Sequence, residues 1–307
     1  MKPVIFALHG QDRLGTALAA LIGGETGALV THRFPDGESY VRLDTPVAGR
    51  PAVLVCDLRD PDPKIPQICF AAAAAKELGA ACVGLIAPSL AYMRQDRRFQ
   101  PGEAVTSASF ARLISGFADW LVTVDPHLHR YRSLGEIYAI PATVVRAAPA
   151  IARWIGKNVA SPWVIGPDAE SAQWVSGIAG DTGTPYTVLK KVRHGDRDVE
   201  VSLPDVDTHR ARTPVIVDDI ISTGHTMLAA MAHLRRAGLA PPVCIGIHAV
   251  LADHVHENLL AAGAARVVTC NTIVHPSNGI DLDEQIAAAA RQQILRNARS
   301  TDPAAPR

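Results

Sequence analysis

The chain has 307 residues, 48% hydrophobic and 20% charged, so it can bury a substantial core without metals or disulfides. Thirty basic side chains balance thirty acidic ones and the pI is near 7.2. That balance excludes a strongly basic nucleic-acid binder but leaves room for a local anion site.

The opening run MKPVIFALHGQDRLG turns polar too soon for a secretory core. The alanine-rich stretch 70–75 is too short to cross a bilayer. A soluble cytoplasmic protein with no membrane partner is the expectation. Short apolar, β-branched runs at 4–8, 52–55, 82–86 and 120–124 read as strands. Segments 16–22, 67–78 and 107–117 between them read as helices, the alternation of a parallel α/β sheet. The rhythm resumes near Pro149, with strands at 163–166, 185–189, 214–217, 243–249 and 266–270. Helices are expected at 149–155, 171–179, 227–237 and 254–261, and residues 281–294 hold enough helix formers to pack. This predicts two α/β domains, residues 1–147 and 148–297, each a mainly parallel sheet flanked by helices, and a flexible tail at 298–307. Cys56, Cys69, Cys82, Cys244 and Cys270 form no CxxC pair or zinc spacing and read as structural thiols.

The most informative segment is PVIVDDIISTGHTM, residues 214–227. An apolar strand runs into Asp218 and Asp219, then a loop of small residues, then a helix. In an α/β sheet this sets polar groups at the strand's carboxyl end, where ligands bind. Ser222, Thr223, Gly224 and Thr226 offer hydroxyls and amides to a phosphate, and the helix amino terminus adds positive potential. The two acids would repel a phosphate and suit sugar hydroxyls or water-bound magnesium; solvated turn residues are the plain alternative. The loop lacks the lysine and glycine spacing of a Walker A motif.

Three other segments carry chemistry only in combination. RFPDGESYVR groups Phe34, Asp36, Gly37 and Glu38 in one turn, either a stacking and hydrogen-bonding site for a nucleobase or an ordinary exposed turn. YMRQDRRFQPGE brings Arg94, Gln95, Asp96, Arg97 and Arg98 together, suited to phosphates or to surface ion pairs. In LKKVRHGDRDVEV, Lys191 and Arg193 alternate along an expected hairpin and so share one side, either as a charged surface or as a cover over phosphates.

The acid pair with its loop resembles the phosphoribosyl-diphosphate motif of phosphoribosyltransferases and ribose-phosphate diphosphokinases. With FPDGE, YMRQDRRFQPGE, VDPH, GPD and KVR in order along nearly the whole chain, the sequence resembles the diphosphokinase family more than the salvage transferases. The resemblance implies two phosphoribosyltransferase-like domains and transfer of the diphosphoryl group of ATP to the 1-hydroxyl of ribose 5-phosphate, with Mg²⁺. It implies Phe34, Asp36, Glu38, Arg94, Gln95, Asp96, Arg97 and His127 as ATP contacts, the hairpin across a subunit contact in a homo-oligomer. His127 and Asp168 would face the metal, although His127 alone would read as structural and Asp168 as a cap. Asp218, Asp219, Ser222, Thr223, Gly224, His225 and Thr226 would bind ribose 5-phosphate, with Lys191 and Arg193 catalytic. Ser222 and His225 stand where many relatives carry aspartate and glycine, and Ala169 and Glu170 replace a glycine-rich continuation. A phosphoribosyltransferase and a non-catalytic regulatory homologue are the rival readings.

Overall fold

Continuous apolar runs in this chain become strands buried on both faces, the signature of parallel sheets covered by helices. The computed structural model describes residues 1–194, 198–202 and 206–300; for 190–194, 198–202 and 300 it describes the backbone alone. The chain divides into two units, one made of residues 1–145 and 283–307, the other of 146–282.

The first unit runs β1 (Val4–Ala7), α1 (Asp12–Ile22), β2 (Glu25–Thr26), β3 (Leu29–Arg33), β4 (Ser39–Leu43), β5 (Pro51–Val55), α2 (Ile65–Glu77), β6 (Cys82–Ala87), α3 (Thr106–Phe117), β7 (Trp120–Val124) and β8 (Ala142–Val145). Its six-stranded sheet has the order β2-β1-β5-β6-β7-β8 and every pairing in it is parallel. Strands β5, β6 and β7 are buried at every position. Gly84 pairs with Trp120 in the ladder, and a Cβ there would sit 1.9 Å from the indole, so the bare glycine is what admits the ring.

The second unit runs α4 (Ala148–Asn158), β9 (Pro162–Gly166), α5 (Ala172–Thr182), β10 (Tyr186–Val188), β11 (Lys190–His194), β12 (Asp198–Ser202), α6 (Val206–His209), β13 (Thr213–Ile220), α7 (His225–Arg236), β14 (Val243–His248), α8 (Val255–Ala261), β15 (Arg266–Cys270) and β16 (Asn278–Ile280). Its all-parallel order, β10-β9-β13-β14-β15-β16, repeats that of the first unit strand for strand. Each unit also sends out an antiparallel hairpin from the same topological point, β3–β4 in the first and β11–β12 in the second.

The last helix, α9 (Asp283–Ser300), corrects the expected domain limits. It was expected to close the second domain, yet its contacts are with α1, β6, β7 and β8 of the first unit. Ile286 and Ala290 are buried there, Asp283 chelates Arg13 at 2.9 and 3.1 Å, and Gln293 donates to the Thr143 hydroxyl at 2.6 Å. An apolar stripe belongs to whichever sheet face lacks a cover, which sequence spacing does not reveal. The pattern also under-read the short strands β2, β8 and β16, and it took β3–β4 for a turn alone. Among the described residues no helix is long and apolar enough to cross a membrane. The tail 301–307, expected to be flexible, lies outside the described residues.

Candidate active site

In a sheet of this order the crevice opens between the two strands where the chain reverses direction, β9 and β13 in the second unit. Strand β13 delivers Asp218 and Asp219 there. Asp219 is buried, and each carboxylate accepts the amide of the next residue, Asp219 N at 3.0 Å and Ile220 N at 2.8 Å. Strand β9 delivers Asp168, whose Oδ1 accepts the amides of Glu170 at 3.1 Å and Ser171 at 3.2 Å. Asp168 is thus a helix cap, as its plain reading had it, and it also lends negative charge to the acid pair.

Burial, with the charges of Asp219 and Asp168, pushes the Asp218 carboxyl from 3.8 up to about 8. Three acids pointed at one crevice favour a ligand that donates hydrogen bonds or carries positive charge. Beside them the chain turns through residues 221–224 into α7. Gly224 caps the helix at φ 73°, a conformation costly for other residues, and a Cβ there would lie 2.8 Å from Val255. Ser222 and Thr226 are half-buried, Thr223 and His225 exposed. First-turn amides of a helix have no partner within it, so the entrance to α7 presents donors to an anion.

The matching crevice of the first unit, between β1 and β5, is filled by the chain itself. Asp57, 5% exposed, pairs with Lys64 at 3.0 Å and accepts from Gln11 at 2.7 Å and from the Arg59 amide at 3.0 Å. Sequence reasoning missed this network, whose partners lie far apart in the chain. The candidate ligand residues of this unit sit instead farther along the same sheet edge. His9, Asp60, Tyr92 and Asp125 are its only non-glycine residues at positive φ among those described, and each lies in a loop leaving β1, β5, β6 or β7. Strain gathered on one edge of a sheet marks it as the working edge.

In the loop after β6, Met93 is buried and Asp96 pairs with Arg130 at 3.2 Å, anchoring the segment. Arg94 and Arg97 are exposed, Gln95 is half-buried, and the Arg97 guanidinium lies 4.8 Å over the Phe99 ring. Arg98 donates to the Glu103 carbonyl at 3.0 Å. After β7, Asp125 is buried, and His127 stacks on His129 with centroids 6.3 Å apart. The FPDGE segment is the tip of β3–β4, closed by Phe34 N to Glu38 O at 2.8 Å and Gly37 N to Phe34 O at 2.9 Å. Asp36 accepts the Glu38 amide at 3.1 Å, and Phe34 is 43% exposed. The hairpin expected around Lys191 and Arg193 is present as β11–β12, with Lys191 opposite Val201 and Arg193 opposite Val199. The side chains of Lys191 and Arg193 lie outside the described ones.

Among the described residues no three His, Cys, Asp or Glu side chains converge as a metal cage. Magnesium is commonly held by one or two carboxylates together with phosphate oxygens of the substrate. The acid-rich crevice fits that mode and not a resident all-protein site.

A repeated parallel sheet with an acid pair and a hydroxyl-rich helix entrance at one switch point defines the phosphoribosyltransferase-like class of α/β proteins. Residues 3–117 match the N-terminal domain of ribose phosphate pyrophosphokinase, and residues 133–285 match the phosphoribosyl transferase domain. A ribose-phosphate pyrophosphokinase of Methanopyrus kandleri is 33% identical over 93% of this chain and 98% of its own length. That of Methanobrevibacter smithii is 30% identical over 94% of this chain and 99% of its own length. The fold matches the crystal structure of phosphoribosylpyrophosphate synthetase from Mycobacterium smegmatis with a TM-score of 0.83, at 24% identity, covering 97% of this chain and 100% of that one. The chain belongs to the ribose-phosphate pyrophosphokinase (diphosphokinase) family.

Proposed function

We propose that the chain transfers the diphosphoryl group of ATP to the 1-hydroxyl of ribose 5-phosphate, giving 5-phosphoribosyl 1-diphosphate and AMP. The observation that carries this reading is the β13–α7 junction, where an acid pair and a phosphate-binding helix entrance stand side by side. A pentose phosphate carries the complementary pair of groups, hydroxyls at one end and a phosphate at the other. Asp218 and Asp219 accept from ring hydroxyls, while Ser222, Thr223, Gly224, His225 and Thr226 surround the 5-phosphate through hydroxyls and amides.

The nucleotide is assigned to the first unit. Phe34 stacks on the base, and Asp36 and Glu38 accept from it. Arg94, Gln95 and Arg97 bind phosphate oxygens, and Asp96 holds the loop in place through Arg130. His127 and Asp168 are the residues that would hold magnesium, together with the triphosphate. When bound, the metal supplies charge neutralisation on the phosphates and polarises the group in transfer.

In the reaction the 1-hydroxyl oxygen bonds to the β-phosphorus, the bond from that phosphorus to the bridging α,β-oxygen breaks, and AMP leaves with its electrons. The hydroxyl proton passes to solvent or a phosphate oxygen, so no dedicated base is required. Lys191 and Arg193 stabilise the charge gathering on the transferred and leaving oxygens. Such enzymes are expected to work as homo-oligomers in the cytoplasm. A phosphoribosyltransferase would share the β13–α7 site but leaves FPDGE, RQDR and the second hairpin without a task.

The test is formation of AMP and phosphoribosyl diphosphate from ATP, ribose 5-phosphate and Mg²⁺. Lys191→Ala and Arg193→Ala should each lower kcat by ~100-fold or more, in the range of lost oxyanion donors, and leave ribose 5-phosphate binding intact. Full activity in both variants would remove the assigned catalytic pair, and absence of product would favour a regulatory homologue.

A further inference from the structure

The β3–β4 hairpin carries an aromatic arrangement that its turn sequence does not require. Leu29, Val41 and Leu43 at its root pack against the core of the first unit, and β4 lies along α2. Toward the tip the same strands expose rings. His32 and Tyr40 are directly opposite each other in the ladder, and their rings stack with centroids 4.4 Å apart and 24° between planes. Phe34, two residues beyond His32 on the same face, meets the imidazole edge-on at 4.8 Å and 78°. Phe34 lies 6.1 Å from Tyr40, at 84°. The imidazole is therefore held between the other two rings. Arg42, clamped on Asp44 at 2.6 and 3.1 Å, also reaches Tyr40.

An exposed phenylalanine at a hairpin tip ordinarily samples several rotamers, and a ligand that stacks on it must freeze them. Here one side of the Phe34 ring rests against His32, whose own plane is fixed by Tyr40, and the ring stays 43% open to solvent. We propose that His32 and Tyr40 are positioning residues, a two-ring buttress that presents Phe34 in the orientation needed to stack on the purine of the nucleotide. The inference rests on the assignment of Phe34 to base recognition. Neither residue touches the reacting phosphorus. Both act through Phe34, so their contribution belongs to nucleotide affinity and not to the chemical step.

The experiment measures KM for ATP, KM for ribose 5-phosphate and kcat for His32→Ala, Tyr40→Ala, Phe34→Ala and the ring-preserving His32→Phe and Tyr40→Phe. Inhibition by inorganic tripolyphosphate, which has no base, is measured on the same enzymes. Aromatic pairs of this kind contribute enough that each alanine should raise the ATP KM roughly threefold to tenfold. kcat, the ribose 5-phosphate KM and tripolyphosphate inhibition should stay unchanged, and the phenylalanine variants should recover ATP affinity. An ATP KM raised by Phe34→Ala but unmoved by His32→Ala and Tyr40→Ala would overturn the buttress and leave base recognition standing. An ATP KM unmoved by Phe34→Ala would overturn both. Equal weakening of ATP and tripolyphosphate would show a general loss of structure and also overturn the proposal.

Discussion

Asp218→Asn should stabilise the ligand-free protein while destroying sugar binding. Asparagine keeps an oxygen to accept the Asp219 amide, made at 3.0 Å in the parent, so the substitution removes little besides charge. Lifting the carboxyl from 3.8 to about 8 sets a ceiling of roughly 6 kcal/mol against the charged form. Asp219 and Asp168 share that repulsion and surrounding groups relax, so ~1–3 kcal/mol is the expected gain. Between those two pKa values the folded chain holds a proton that the unfolded chain has lost. The parent's stability therefore falls as pH rises through this window, and the asparagine escapes the loss.

At a conversion of about 2–4 °C per kcal/mol, calorimetry near pH 8.5 should show the second unit of the variant melting ~3–10 °C higher. Near about pH 5, where the folded parent already carries the proton, the gap should nearly close. Titration with ribose 5-phosphate should show binding weakened by about tenfold or more, since hydrogen bonds to a charged group are among the stronger ones. An equal gain at both pH values, or a loss at the higher one, would refute the account of three mutually repelling acids.

Gly224→Ala must hold a side chain at φ 73° and push it against Val255, so it should raise the ribose 5-phosphate KM about tenfold and lower Tm by several degrees. Removal of Mg²⁺ by EDTA should abolish turnover and leave the Tm of the substrate-free protein unchanged, because no protein cage of three ligands exists among the described residues. Cys56 and Cys244, buried thiols held up at about 12, should resist iodoacetamide at neutral pH until the protein is unfolded, as peptide mapping would show.

The strands around which both sheets form were legible because each is an unbroken apolar run of four to eight residues, a pattern that only a doubly covered strand needs. The β13–α7 junction was legible for a related reason: an acid pair between an apolar strand and a small-residue loop has few structural uses. The path of α9 was not legible, since its stripe of alanine and isoleucine fits either sheet equally well. Nor was the Asp57–Lys64–Gln11 plug, which depends on loops brought together only by strand order. His32 and Tyr40 were hidden because the sequence showed a turn and not the register that sets them face to face.

The return of α9 to the first unit fixes an order of events during synthesis. The helix that lies against α1 and the β6–β8 part of that sheet is also the last to leave the ribosome. Residues 146–282 can therefore fold to completion while the earlier-made half still waits for its lid. A nascent chain halted before residue 283 carries a bare apolar face, a natural target for chaperones and proteases, so premature termination even near the end of the message removes the N-terminal half as effectively as the C-terminal one.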